Sequence, residues 1–301
     1  MSSKKNRKYT LVDFFSGYFE NIGSLTLVNL IFCLPLTIIL SIMFFLNNTG
    51  INNIFVSFLL IPLMSPFSGG LFYICKKTVR EEKISPLRDF LYGIRLNALY
   101  FFLDSVIVYV IVIGLYISFS YYRTGLEGMI MIVSFIFSLI FLLFFISFQN
   151  NIMTMIVSVK LNFGEILKNS VLMVMGGFFY QIKNILSFSL IAIIMYSVCV
   201  FAGNIFVIAV VLIIPIFLFL PVFSCYIIVF NTYQPIEKQV IIPYENEYSK
   251  TSDPVSSISS GEDLDELEKL SKGDPDEFVF YKGKMIKRRT VRRILEVHKN
   301  S

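Results

Sequence analysis

Asp104 is the acid set deepest in any long apolar run of the chain. An ionised carboxylate at the centre of a bilayer costs about 2.5–3.5 kcal/mol on insertion scales, so such a group is expected to face a cavity or a partner. Two roles fit it here: lining a polar cavity, or pairing with Arg95 or Lys183 near the ends of neighbouring segments. Prolines give a second signal. Pro35, Pro62, Pro66, Pro215 and Pro221 interrupt three apolar runs, and Gly69-Gly70 follows Pro66. Broken helices bare carbonyls that line cavities in secondary transporters; they equally mark kinks and close packing at small residues. Asp104, Pro62, Pro66, Gly69, Gly70, Pro215 and Pro221 therefore form the candidate cavity set. Gln149-Asn150-Asn151 is a polar cluster at the end of an apolar run, and Asn29, Asn97 and Asn184 can supply hydrogen bonds between helices.

Other chemistry has little to stand on. Cys33, Cys75, Cys199 and Cys225 lie in or beside apolar runs without a Cys-x-x-Cys pair, and the single histidine, His298, sits in a polar tail. These residue types and spacings suit neither a metal site nor a disulfide framework. No phosphate-binding glycine loop, Gly-x-Ser-x-Gly or His-Glu-x-x-His occurs in the sequence. A non-enzymatic protein with no cofactor and no metal is the expectation.

The elements that must position these residues are membrane helices. Of 301 residues, 55% are hydrophobic and 16% charged, with mean hydropathy +0.72. Soluble domains carry about 25% charged residues. The net charge of +5 is a poor guide to nucleic acid in such a chain, and no nucleic acid is expected. Six runs approach the ~20 apolar residues that a bilayer core requires: 24–46, 54–75, 98–119, 129–148, 185–201 and 205–230. The fold expected is all-α, a polytopic bundle of six spans, with residues 1–230 as the transmembrane domain. The basic start of the chain is followed by acidic and amphipathic residues, which suits a retained anchor better than a cleaved signal.

Lys and Arg in the short connections orient the bundle. Thirteen lie in the N-terminal arm and in the connections after span two and before span five, against Arg123 alone on the opposite side. The positive-inside rule then puts both termini in the cytoplasm of a multi-pass cell-membrane protein. Beyond Phe230 the composition changes to a Ser-, Pro- and Thr-bearing linker, 231–261, and a charged, flexible cytoplasmic tail, 262–301. Within it, residues 278–286 alternate like a small hairpin, and Lys287, Arg288, Arg289, Arg292 and Arg293 make a basic cluster suited to anionic lipid or to a partner.

Several short patterns are specific enough to carry a resemblance: Pro66-x-x-Gly69-Gly70, Lys77, Val79-Arg80-Glu81, Asp89-Phe90 and Asn97-Ala98. Val28-Asn29-Leu30, Leu34-Pro35 and Leu167-Lys168-Asn169-Ser170 join them. Over roughly residues 10–230, the chain resembles the YesL-like family of bacterial integral membrane proteins of unknown function. It departs from that pattern in a longer separation of spans one and two and in its charged tail. The resemblance implies a role beside carbohydrate-uptake systems, as an accessory or regulator with a carbohydrate ABC transporter or another membrane protein as partner. It brings no catalytic or binding residues. Two other readings stay open: a small-solute secondary transporter with a cavity lined by broken spans two and six, and a membrane-bound signalling adaptor acting through the tail.

A last pattern is internal. Asp13-Phe14-Phe15-x-Gly17-x-x-x-Asn21 matches Asp89-Phe90-Leu91-x-Gly93-x-x-x-Asn97, and Glu165-Ile166-Leu167 begins a weaker third copy at the same 76-residue interval. Each stretch has an amphipathic stripe and precedes two spans. The repeat predicts interfacial elbow helices, each feeding a helical hairpin.

Overall fold

The structure is a computed structural model and describes residues 10–48, 54–125, 128–159, 161–176, 178–201, 204–242, 267–271, 278–281, 284–287 and 291–292. The chain divides into two units, Met1–Lys238 and Gln239–Ser301.

Apolar sequence away from water must satisfy its backbone internally, and the first unit does so with helices. They are α1 (Leu11–Glu20), α2 (Ile22–Asn48), α3 (Ile54–Phe58), α4 (Leu60–Val79), α5 (Pro86–Gly125), α6 (Gly128–Ser158), α7 (Phe163–Gly176), α8 (Phe178–Phe201), α9 (Ile205–Leu218) and α10 (Leu220–Ile236). Among the described residues, five stretches are long and apolar enough to cross a membrane: Ile22–Leu46, Ile54–Val79, Pro86–Tyr122, Gly128–Ser158 and Gln181–Phe201. These fit a multi-pass membrane protein. The sixth expected span differs, because a break at Phe219 divides it into α9 and α10, of 14 and 17 residues.

Burial follows one end of the helices. α2 is buried at Leu25, Val28, Asn29, Phe32 and Cys33, α5 at Phe90, Asn97, Phe101, Asp104 and Ser105, and α6 mainly from Phe145 to Val157. The other halves of these helices expose Ile38 and Phe44, Val110 and Ile117, and Met129 and Phe137. The packed core thus lies toward the end that carries α1, the α4–α5 turn and the α6–α7 turn.

Each of those turns opens a helix with the same device, an acid that accepts from a backbone N–H just before it. Asp13 accepts from Thr10 N at 2.9 Å, Asp89 from Ser85 N at 2.7 Å, and Glu165 from Asn162 N at 3.1 Å. Such caps satisfy donors that a helix start leaves bare. Glycine and asparagine recur as well: Asn21 Nδ2 donates to Gly17 O at 3.0 Å and Asn97 Nδ2 to Gly93 O at 2.9 Å.

The expected elbows nevertheless divide. α1 is a separate helix, since the Asn21 backbone leaves helical geometry (φ −108°, ψ 9°), and α7 is likewise a short helix of 14 residues. The second expected elbow is not separate, because residues 86–97 run straight into their span as part of the 40-residue α5. Nothing in that stretch breaks the backbone ladder, and Asn97 makes its side-chain bond from within the helix.

α4 and α5 make the most extensive pairing, and glycine permits it. A Cβ on Gly70 would lie 2.8 Å from the Phe90 carbonyl, and one on Gly93 would lie 2.6 Å from Tyr73 Cβ and 3.1 Å from Gly70 Cα. Lys77 Nζ closes the turn on Asp89 Oδ2 at 2.7 Å, with both side chains largely buried. α1 is held by aromatics: Phe14 packs on Phe223, Tyr226 and Phe230, and the Tyr226 hydroxyl donates to Phe14 O at 3.1 Å.

The boundary expected at Asn231 also moves. α10 runs on to Ile236 and passes into a π-helical turn, Glu237–Ile241, with Thr232, Tyr233, Pro235 and Ile236 buried. Polar residues that look like linker are spent on contacts: Asn231 Nδ2 donates to Asn184 Oδ1 at 2.8 Å, and Thr232 Oγ1 meets Thr154 Oγ1 at 2.6 Å. In the second unit β1 (Phe278–Tyr281) pairs antiparallel with β2 (Lys284–Lys287), with Tyr281 opposite Lys284. Arg292 Nε donates to Ser271 O at 3.0 Å. Arg288, Arg289 and Arg293 lie outside the described residues, as does linker segment 243–261.

The glycine contact is open to test. Gly70→Ala and Gly93→Ala each force overpacking against backbone or a Cβ, with an expected loss of about 1–3 kcal/mol and a lower melting temperature in detergent. Gly114→Ala, with nothing within 4 Å of the added Cβ, should melt at or above the wild-type temperature. Equal melting of all three proteins would refute the close-packing account.

Candidate functional site

Two of the expected prolines are explained by backbone accounting. Pro221 has no N–H to give the Phe217 carbonyl four residues back, so the helix ladder fails at the α9–α10 junction. Asn29 of α2 repairs it. Its Nδ2 donates to Phe217 O at 2.7 Å and to Ile216 O at 2.9 Å, and its Oδ1 accepts from Val222 N at 3.0 Å. One side-chain amide therefore stands in for a stretch of helix ladder. Pro66 similarly frees the Pro62 carbonyl, which takes the Ser65 hydroxyl at 3.0 Å.

This revises the candidate set. Pro215 and Pro221 mark a break sealed by Asn29, and neither lines the cavity at Asp104. Gly69 and Gly70 pack on α5, Gly69 against Phe101 and Asn97 and Gly70 against Phe90. The cavity expected between spans two and six is instead built by α2, α4, α5 and α6. It measures about 320 Å³ and is lined by Phe32 and Leu36, by Leu60, Ile61, Met64, Ser65 and Ser68, by Phe101, Asp104, Ser105 and Val108, and by Met153.

Asp104 is 2% exposed on the wall of this cavity. Its Oδ2 accepts from Gln149 Nε2, across from α5 to α6. Among the described residues its Oδ1 has no hydrogen-bond partner. Neither Arg95 nor Lys183 is the partner; the polar cluster of α6 supplies it. The three serines of the wall already donate along their own helices, Ser65 to Pro62 O, Ser68 to Met64 O at 3.4 Å and Ser105 to Phe102 O at 2.7 Å. Leu60, Ile61, Met64, Phe101, Val108 and Met153 leave most of the wall apolar. Such a site offers one carboxylate oxygen in low dielectric, where an uncompensated charge is costly.

Sequence reading missed Ser65, Ser68 and Ser105. A usable signal existed, since Ser65-x-x-Ser68 places two hydroxyls on one helix face and Ser105 adjoins the buried acid. The rest of the α6 cluster binds the bundle: Gln181 Nε2 donates to Asn151 Oδ1 at 3.1 Å, and Asn151 Nδ2 donates back to Ser147 O at 3.1 Å. Asn97, expected between helices, bonds within its own helix. Among the described residues, no group of His, Cys, Asp and Glu is arranged to hold a metal ion.

A second hollow, of about 610 Å³, lies at the α1 end between α1 and the C-terminus of α4, with Asp13, Glu20, Glu81 and Glu82 among its lining residues. Glu81 takes a left-handed backbone (φ 57°) there, closing α4 as glycine more often does.

Compared with known proteins, the chain matches no family model, no curated protein sequence and no solved structure.

The Asn29 splice generates a sharp expectation. Asn29→Leu removes a donor and an acceptor together and leaves buried backbone groups bare, at about 1–3 kcal/mol for each. The melting temperature should fall by more than for Asn97→Leu, whose amide bonds only within its helix. An Asn29→Leu protein as stable as wild type would show that the break needs no partner.

Proposed function

We propose that this chain is a non-enzymatic, polytopic membrane protein that binds a small solute beside Asp104 and carries it across the bilayer. One observation supports the reading above the others: a buried carboxylate with one oxygen unpartnered on the wall of an otherwise apolar cavity. Ionisable groups at such depth are expensive, and the ones that persist are associated with transport pathways. The role in carbohydrate uptake implied by the YesL-like resemblance is then that of a neighbour to such systems, because a sugar does not suit this cavity. A bare sugar carries a hydroxyl on nearly every carbon, whereas the wall's three serine hydroxyls already donate to helix carbonyls.

The same reading takes the bundle as six spans in three units, each opened by an acid-capped stretch that in the second unit is continuous with its span. The recurring acid cap and the paired Gly–Asn bonds favour it. In this arrangement α9 and α10 jointly make the sixth span, with Asn29 closing the gap that Pro221 opens. Six spans require the two ends of the chain on one side of the membrane, the cytoplasmic side by the distribution of Lys and Arg. Reporter fusions at the two ends should therefore report the same compartment. Opposite compartments would reduce the count to five.

Function is tested in liposomes that contain only the purified protein. Counterflow of a labelled small solute should be measurable with wild type and absent with Asp104→Leu, while the variant's melting temperature stays close to wild type, because the lost desolvation cost of the carboxylate offsets the Gln149 donor left bare. An Asp104→Leu protein that melts higher and still exchanges solute would remove Asp104 from the function.

A further inference from the structure

The Asp104 cavity also constrains what its occupant must be; this inference rests on the solute-site reading above. We propose that it takes a small organic cation, an ammonium group on a compact hydrocarbon or aromatic body.

The argument begins with the carboxylate. Gln149 satisfies Oδ2 alone, and no donor reaches Oδ1. None of the cavity's lining residues is Lys, Arg or His. An ionised carboxylate in such surroundings lacks a counter-charge, and an ammonium N–H supplies the charge and the missing hydrogen bond in one group.

The walls then select among cations. A hard metal ion needs about six oxygen ligands in place of its water. This cavity is bordered by one carboxylate and three serine hydroxyls set among apolar side chains. A proton would neutralise Asp104 without needing any cavity, so it leaves the adjoining volume of about 320 Å³ without a role. An amine with an apolar body uses both parts. Its head meets the Asp104 carboxylate once the covered Oδ1 turns to the cavity, and its body packs against Leu36, Ile61, Met64 and Val108. Phe32 and Phe101 stand on the same wall, and aromatic faces also attract cations.

The test uses full-length protein in lipid nanodiscs, with phenethylamine as the probe and 2-phenylethanol as its uncharged match of nearly the same shape. At neutral pH the amine should bind at least about tenfold more tightly than the alcohol, the margin expected of a charge-assisted hydrogen bond away from water. Asp104→Asn keeps an acceptor for Gln149 but removes the charge, and should erase the amine's advantage over the alcohol. Val108→Phe, which fills the cavity from an unrelated wall position, should weaken both probes. Equal binding of amine and alcohol to wild type, or no binding of either, overturns the proposal without recourse to any variant. An amine preference that survives Asp104→Asn overturns it as well. Asp104-dependent amine binding without movement in liposomes supports the cation site and removes only the carrier reading. Asp104-dependent movement of a neutral solute, with no amine binding, does the reverse.

Discussion

The approach of α4 to α5 is the constraint on which the rest depends. Gly70 and Gly93 face one another so closely that a methyl group on either would strike backbone or Cβ atoms of the opposite helix. Without a hydrophobic effect to drive helices together inside a membrane, contact of this kind carries much of the association. It also sets the register of everything further along the pair. With Gly69 against Phe101, the next turn of α5 brings Asp104 and Ser105 to the same cavity wall as Met64, Ser65 and Ser68. The Lys77–Asp89 ion pair fixes the near end of the same two helices, and Asp89 doubles as the cap of α5. Gly69, Gly70, Lys77, Asp89, Phe90 and Asn97, close together in sequence, thus share one packed joint.

Around that joint, polar groups are handled by substitution. At two prolines that remove backbone donors a nearby side chain takes over the freed carbonyl: Ser65 within α4, and Asn29 across from α2 at the α9–α10 junction. Gln149, Asn151, Asn184 and Asn231 tie α5, α6, α8 and α10 by side-chain amides. Against this habit stand five buried side-chain atoms with no partner among the described residues: Asp104 Oδ1, Asn150 Nδ2, Ser158 Oγ, Gln181 Oε1 and Asn184 Nδ2. Departures from internal consistency tend to fall at functional or strained positions, and of the five groups Asp104 is the one that borders the cavity of α2, α4, α5 and α6.

The elbow pattern illustrates how one local grammar yields unequal tertiary results. Acid caps open α1, α5 and α7 alike, and Gly17–Asn21 and Gly93–Asn97 bond alike. Yet α1 stops at Asn21, where Phe14 and Tyr18 turn toward the aromatics of α10, whereas α5 runs on because its glycine face lies flat against α4. A partner helix alongside keeps one ladder straight; a partner across the chain's path ends the other.

The sequence by itself determined the helical class and the approximate positions of the apolar segments, and it singled out Asp104 as a buried acid. Each depends on composition or on neighbours a few residues apart, where hydrophobic period acts locally. Only the tertiary structure decided which polar residues meet. Asn29 and Phe217 are 188 positions apart, and Asp104 and Gln149 are 45 apart, so no spacing rule links them. The same holds for the cavity. Prolines in two distant spans look equivalent as sequence, but Asn29 reaches one break and seals it, while the α4–α5 contact brings Ser65 and Ser68 beside Asp104. What separates a sealed kink from an open site is the side chain opposite, and that is a property of packing.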